Sequence, residues 1–459
     1  MNTYREESDS IGTRKVPAEA YYGVQSLRGA ENFNITGRRM HPEFIYAMVE
    51  LKKAAAITNR DVGVFDAKIA NAIIDACDEI LSGKLLDNFI IDAVQGGAGT
   101  SANMNANEVI ANRAIELLGG EKGDYKIVHP NDHVNCGQST NDVIPSAGRI
   151  ATIRLLEKAL ESLKKIQASF RAKSLEFKND IKMGRTEMED AVPVSFGQVF
   201  GAYASAISRD IKRFSLAIEE LSVINMGGTA IGTGINAHPD YIKGIAKNVS
   251  IVSGIDITQA DDLIDATQNL DSFVFVSGIV KSCAVTLSKI AGDIRIMSSG
   301  PRTGFGEINI PPKQNGSSIM PGKVNPVMPE VMTQVAFNII GNDTTVTMAA
   351  EAGQLELNAF EPVMFYRIFD SLDTLRNGIE VFRTECIDGI TVNREKCLAD
   401  VENSIGIVTA LCPHIGYTKS AYIAKRALRE GRSVREVILE ENEMTPAQLD
   451  EILDPAKMI

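Results

Sequence analysis

The chain has 459 residues, of which 44% are apolar and 23% charged, and its 47 Lys plus Arg against 59 Asp plus Glu give a net charge of −12. That length exceeds one ordinary hydrophobic core and predicts two or three domains of globular composition. The acidic balance argues against nucleic acid and anionic membrane as partners, and no uninterrupted apolar run approaches the ~20 residues of a bilayer span.

Residues 1–12, MNTYREESDSIG, are polar and acidic and contain no apolar signal core. Extended pieces are expected around Tyr21–Val24, and helical periodicity starts near Pro42. Gly99-Thr100-Ser101 precedes a helix-like run from Ala102 to Leu118. Gln138-Ser139-Thr140-Asn141-Asp142 comes before an apolar-periodic run that begins near Ile150. In it Leu156, Leu160, Leu163, Ile166 and Phe170 step by threes and fours. Gly184-Arg185-Thr186-Glu187 is followed by another predicted helix, whose first turn is expected to hold Pro193. Phe196, Tyr203, Ile207, Ile211, Phe214, Ile218 and Leu221 make a second long stepping run, and Leu270, Phe273, Val276, Val280, Leu287, Ile290 and Ile294 a third. Pro329–Gln354 and Pro362–Thr384 add two more. Such runs exceed the average helix of ~11–12 residues, and alternating strand patterns are scarce. The predicted fold is mostly α, a three-domain subunit with a central long-helix bundle. The small residues at Gly201–Ser208 allow close helix packing, including packing between subunits. Character changes at Asn393-Arg394-Glu395-Lys396, after which Arg432–Val437 and Thr445–Leu449 read as short helix starts. The expected domains are a mixed, mostly helical N-terminal one (1–140), the bundle (141–392) and a small helical C-terminal one (393–459).

Six cysteines, Cys77, Cys136, Cys283, Cys386, Cys397 and Cys412, are scattered without any Cys-x-x-Cys pair. That spacing argues against a zinc site and a disulfide framework, and it fits core thiols in a reducing cytoplasm. Cys136 adjoins the Gln138–Asp142 stretch but has no basic partner that would make it a nucleophile.

Gly316-Ser317-Ser318-Ile319-Met320-Pro321-Gly322-Lys323-Val324-Asn325 places two hydroxyls, a cation and an amide in one shaped loop. Such a loop offers several donors and a positive charge to an anion. The three other polar stretches set Ser or Thr beside Gly or Asn at predicted helix starts. Such residues are ordinary N-caps, but helix N-termini also attract anions. Four such stretches point to a small molecule with more than one carboxylate. Phosphate is disfavoured, because no phosphate-binding Gly-x-x-x-x-Gly-Lys is present and Gly228–Gly234 (GTAIGTG) is no dinucleotide fingerprint.

Taken together, Gly316–Asn325, Gly99–Asn105 and His133–Asp142 resemble the fumarase/aspartase superfamily from about Tyr21 to the C-terminus. Within it, Thr100-Ser101, Ser139–Asp142, Val327–Val331 and Glu351–Leu355 resemble aspartate ammonia-lyases more than class II fumarases. The resemblance implies a homotetramer with a central bundle of five helices per subunit and active sites shared by three subunits. It implies conversion of L-aspartate to fumarate and ammonium without an organic cofactor, and the sequence has no metal-ligand spacing. Ser317 matches the family's base. Thr100, Ser139, Thr140 and Ser318 match its donors to the β-carboxylate, with Ser101 counted among the substrate-binding residues. Lys323 and Asn325 match contacts to the α-carboxylate, and Asn141 and Thr186 match contacts near the amino group and the α-carboxylate. Gly316 and Gly322 are expected hinges for loop closure.

Glu187 departs from the family pattern, in which His or Gln follows Gly-Arg-Thr. A carboxylate there repels a diacid unless it is protonated, faces the substrate ammonium or pairs with Arg185. The ammonium side is the expectation. His133 is expected to be a satisfied structural residue. His129 resembles part of a secondary anion site of fumarases and is not assigned to catalysis. The alternatives are a fumarase-type hydratase using the same base and loop, and an inactive lyase-fold binding or structural protein.

Overall fold

A computed structural model describes residues 3–454 and 457–458 of the chain. It opens with an antiparallel hairpin, β1 (Tyr4–Asp9) and β2 (Gly12–Pro17), in register from Tyr4 opposite Pro17 to Asp9 opposite Gly12. The expected extended segment at Tyr21–Val24 is not formed, because Val24 starts helix α1 (Val24–Asn32). The reason is a long-range cap. Glu108 accepts N–H bonds from Gly23, Gln25 and Ser26, and Glu7 accepts one from Val24. Two distant carboxylates thus satisfy donors that local sequence leaves open.

Helix α2 (Pro42–Asp61) begins where periodicity placed it, with Pro42 in its first turn and His41 Nδ1 accepting the Glu43 N–H. Helix α3 (Ala67–Leu81) is capped by Asp66. Helix α4 (Thr100–Leu117) is buried along most of its length, including Asn103, Asn105, Asn107, Glu108 and Asn112. Helix α5 (Thr140–Glu176) starts ten residues before its apolar stepping is evident, with Pro145 inside it. Its first turn is held by polar contacts, which periodicity does not report.

Residues Ile181–Ser195 form a second hairpin, β3 (Ile181–Thr186) and β4 (Glu189–Ser195). The helix expected to hold Pro193 in its first turn begins only at Phe196, and Pro193 lies in β4 opposite Met183. A two-stranded hairpin leaves each strand with an outer edge, where the missing N–H of proline is tolerated. Helices α6 (Phe196–Leu221), α7 (Pro239–Ser253), α8 (Leu263–Gln268), α9 (Asp271–Met297), α10 (Val327–Glu351) and α11 (Glu361–Glu385) follow. Five helices, α5, α6, α9, α10 and α11, run 25 residues or more. Their apolar stripes supply the core residues Leu156, Phe170, Phe214, Phe273, Leu287, Met332 and Phe365. Helix α9 is long and apolar enough to cross a membrane by composition, yet half of that apolar window is buried inside the chain, as in the core helix of a bundle.

The end of the chain folds as α12 (Arg394–Asn403), α13 (Cys412–Ile415), α14 (Tyr417–Glu430), α15 (Val434–Glu440) and α16 (Pro446–Ile452). Ser433 with Glu436 and Thr445 with Gln448 close reciprocal capping boxes. All six cysteines are free thiols.

Packing groups the chain into two units. One holds Met1–Leu160, Lys212–Ser282 and Asn338–Leu375, and the other holds Glu161–Ile211, Cys283–Phe337 and Arg376–Ile459. In the second unit, Met183 of β3 shares a core with Val401, Ile407, Leu411, Ile423, Val437 and Leu449. Gly406 lies so close to β4 that a Cβ there would meet the Ala191 carbonyl at 2.2 Å. The β3–β4 hairpin is therefore anchored through Met183, Ala191 and Asp190, the last bonded by Ser404 close to the Glu187–Met188 turn.

Candidate active site

The first unit carries Thr100, Ser101, Ser139, Thr140 and Asn141, and the second carries Thr186, Glu187, Ser317, Ser318, Lys323 and Asn325.

In the first unit, Gly99 takes a left-handed φ of 85° and ends the loop before α4. A side chain there would strike Ile144 at 2.9 Å, so the turn needs glycine for both angle and space. Thr100 Oγ1 donates to the Gly97 carbonyl at 2.8 Å, and the residue is exposed. The Ser101 side chain abuts Gly29 of α1, where the absence of a Cβ makes room for it. Ser139 Oγ accepts the Asn141 N–H at 3.2 Å. Thr140 Oγ1 accepts from Asn103 Nδ2 at 3.3 Å. Asn141 Nδ2 donates to the Ala230 carbonyl at 2.7 Å, which leaves its Oδ1 as an acceptor suited to an ammonium group.

Beneath these residues lies a polar centre that sequence reading did not single out. Asp142 is fully buried and accepts N–H bonds from Ser139, Gly227 and Thr229. Lys52 of α2 is also fully buried, and its ammonium bonds Asn135 Oδ1 at 2.7 Å and Gln138 Oε1 at 2.8 Å. Burial pushes the Asp142 carboxyl up to about 6, against the pull of its N–H partners and of Lys52. Burial pulls the Lys52 ammonium down to about 7. The available signal was a lysine between Met48, Leu51, Ala55 and Ala56, on a helix face that is otherwise apolar. His133 accepts the His129 N–H on Nδ1 and packs edge-on against Phe65, a satisfied half-buried histidine. His129 caps the turn at Asn131 and Asp132. Burial raises the Cys136 thiol, which is the wrong direction for a nucleophile.

In the second unit the Ser317 loop has a closed neck and an open tip. Gly316 N–H donates to the Lys323 carbonyl at 2.7 Å, and Asn325 Nδ2 donates to the Gly316 carbonyl at 2.7 Å. The two expected hinge glycines differ in kind. Gly322 uses a left-handed φ of 80°, whereas a Cβ on Gly316 would meet the Asn325 nitrogen and Lys323 oxygen at 2.7 Å. Ser317 Oγ accepts N–H bonds from Ile319 at 3.2 Å and Met320 at 2.9 Å. Donors converging on one hydroxyl oxygen favour its alkoxide form. Lys323 is exposed, and Ile319 at the tip is 83% exposed.

Thr186 and Glu187 stand at the tip of the β3–β4 hairpin. Glu187 (φ 55°) and Met188 (φ 70°) are both left-handed, as a two-residue hairpin turn requires, although neither is glycine. Arg185 does not pair with Glu187. It binds Glu307 through Nη1 at 2.5 Å and lies over the Phe305 ring. Glu187 makes no hydrogen bond or ion pair among the described residues. Among those residues no group of three or more His, Cys, Asp or Glu is placed to hold a metal.

The family model described as Lyase matches residues 12–341, and that of the fumarase C C-terminus matches residues 407–459. Aspartate ammonia-lyase of Bacillus subtilis is 50% identical over 455 residues, which is 99% of this chain and 96% of that protein. The chain belongs to the fumarase/aspartase superfamily. Another aspartase, aspartate ammonia-lyase of Escherichia coli, is 49% identical over 98% of this chain and 95% of its own length. A fumarate lyase:delta crystallin structure from Brucella melitensis, bound to cobalt, aligns with a TM-score of 0.97 at 46% identity, covering 99% of each chain. A class II fumarase from Schistosoma mansoni aligns with a TM-score of 0.96 at 34% identity, again over 99% of each. The bundle of long helices is the superfamily's fold.

Proposed function

We infer that this protein is a carbon–nitrogen lyase that interconverts L-aspartate with fumarate and ammonium. The full-length likeness to aspartate ammonia-lyases at about half identity supports the substrate. The observation that carries the mechanism is the Ser317 oxygen, which accepts bonds from two backbone N–H groups of its own glycine-flanked loop.

In this reading Ser317, as an alkoxide, takes the proton from Cβ. The electron pair passes into the β-carboxylate, which becomes an aci-carboxylate with two negative charges. Thr100, Ser139, Thr140 and Ser318 supply the donors that hold that charge. Lys323 and Asn325 fix the α-carboxylate. Asn141 Oδ1, Thr186 and Glu187 face the amino side. Collapse of the aci-carboxylate forms the carbon–carbon double bond and breaks C–N, expelling ammonia; Ser317 gives up its proton to solvent, which restores the alkoxide and balances the proton that ammonia takes up there. A general base contributes about 10²–10⁴-fold, less than the 10⁶-fold or more of a typical enzyme. The remainder comes from the charge-stabilising donors, each worth about 2.7–4 kcal/mol when well aimed.

A cytoplasmic homotetramer with shared sites belongs to the same reading. Association of subunits is supported by apolar residues left exposed on the long helices, such as Leu216 on α6, Phe275 and Val285 on α9, and Phe337 and Met348 on α10. Apolar side chains gathered into a contiguous exposed patch suit an interface between subunits. Light scattering is expected to give four times the 49.7 kDa chain mass.

The decisive assay follows fumarate absorbance with L-aspartate or L-malate as substrate. Signal from aspartate alone is expected. Signal from malate alone would make the chain a hydratase, and none from either would leave it an inactive relative. Ser317→Ala is expected to lower kcat by at least about 10²-fold without changing the helical circular dichroism. Full activity in that variant would overturn the mechanism.

A further inference from the structure

We propose that Asp142 is a positioning residue of this reaction: its two carboxylate oxygens tie the Ser139–Asn141 loop to the Gly227–Thr229 turn, and so fix Ser139, Thr140 and Asn141 for the substrate. The proposal rests on the functional reading above and extends it to a residue that does not touch substrate.

The geometry is specific. Asp142 Oδ1 takes the Ser139 N–H at 2.9 Å, while Oδ2 takes the Gly227 N–H at 3.2 Å and the Thr229 N–H at 3.0 Å. Two further bonds join the same segments, from Asn141 Nδ2 to the Ala230 carbonyl and from Asn225 Nδ2 to the Asn141 carbonyl at 3.0 Å. The turn is shaped to present its donors. Gly227 and Thr229 are both left-handed, and the Gly228 carbonyl accepts from Gly232 and Gly234. Lys52 holds the preceding residues Asn135 and Gln138, and Asn135 and Thr140 are joined through Asn103. One buried anion and one buried cation thus secure the two ends of one loop. The stretch from Asn135 into the first turn of α5 is half-buried and mostly polar, so these bonds set its position.

The arrangement needs both carboxylate oxygens as acceptors. An amide at this position has one acceptor and one donor group, so at least one side would set N–H against N–H. A protonated Asp142 has the same defect. The titratable groups that face Asp142 are Lys52 on α2 and Tyr241 on α7. Lys52 in turn faces Cys77 on α3, and Tyr241 faces Cys136.

The test is Asp142→Asn in the full-length protein. Displacement of substrate-binding groups by about 1 Å costs about 10²-fold, and kcat/KM for L-aspartate is expected to fall by that factor. Binding of fumarate without ammonium, measured by calorimetry, should weaken in parallel, because it needs the carboxylate donors and no proton transfer. The variant should also lose the wild-type decline in fumarate affinity as pH falls through about 6, the range in which Asp142 takes up its proton. A purely structural role would leave that pH dependence in place. Should the variant not fold, the wild-type binding profile alone decides, and an affinity flat through about pH 6 overturns the proposal. A folded variant with kcat/KM and fumarate affinity like wild type also overturns it. If wild type itself neither turns over aspartate nor binds fumarate, the functional reading has failed instead.

Discussion

At the scale of single residues, the proposed site rests on oxygen atoms whose electron pairs are directed by backbone N–H groups. Ser317 is held this way by Ile319 and Met320. Glu187 is the residue whose chemistry is least like a diacid site. It is exposed, lacks a partner among the described residues and sits on a left-handed backbone. A carboxylate kept free in a loop of this geometry suits an incoming cation. Replacing Glu187 with Gln is expected to raise KM for L-aspartate about tenfold, the worth of one hydrogen bond to a charged group, and to shift the pH profile. Kinetics identical to wild type would remove Glu187 from the site. The residue types here were legible in the chain, since Ser317, Lys323 and Asn325 share one short motif. The partners that hold Ser139, Thr140 and Asn141 were not, because Lys52 and Asp142 stand 90 positions apart and meet only through folding.

Among the elements, the β3–β4 hairpin and the Ser317 loop are the two pieces that periodicity reads least well. The hairpin was expected as the approach to a helix, because Pro193 suits a first helical turn. Its pairing with Met183 and the shared core with α12 to α16 decided otherwise. Its turn stores strain at two residues that lack the freedom of glycine. Met188→Gly is expected to gain about 0.5–1 kcal/mol, the left-handed cost less the chain entropy of glycine. The check is a higher urea midpoint with an unchanged slope. An unchanged or lower midpoint would show that the turn is relaxed. Gly316→Ala acts in the opposite sense. Its Cβ would push apart the backbone at Lys323 and Asn325, so activity should fall sharply while global stability barely moves.

For the whole molecule, the buried pair makes stability depend on pH in an unusual way. The folded pKa of Lys52, about 7, lies below its ordinary 10.5. Between those values the unfolded chain binds a proton that the folded one does not, so this contribution to stability rises with pH. Asp142 has a folded value of about 6 against 3.8. Across that window the folded chain binds more protons, and its contribution falls as pH rises. Together they place the weakest point of the centre between about 6 and 7, where both groups are charged. The thermal midpoint should therefore climb from about pH 7 to 9 more in wild type than in Lys52→Met, as linkage requires. Equal slopes would show that Lys52 is not buried as a titrating cation. The sequence alone determined the helical class, the long-helix runs and the loop that carries Ser317, because apolar spacing and glycine-rich polar motifs are local signals. Tertiary structure decided how helix α1 is capped, where the second hairpin forms and what holds the stretch from Asn135 to Asn141. Those choices depend on buried carboxylates and an ammonium whose partners lie far along the chain, and local spacing carries no record of them.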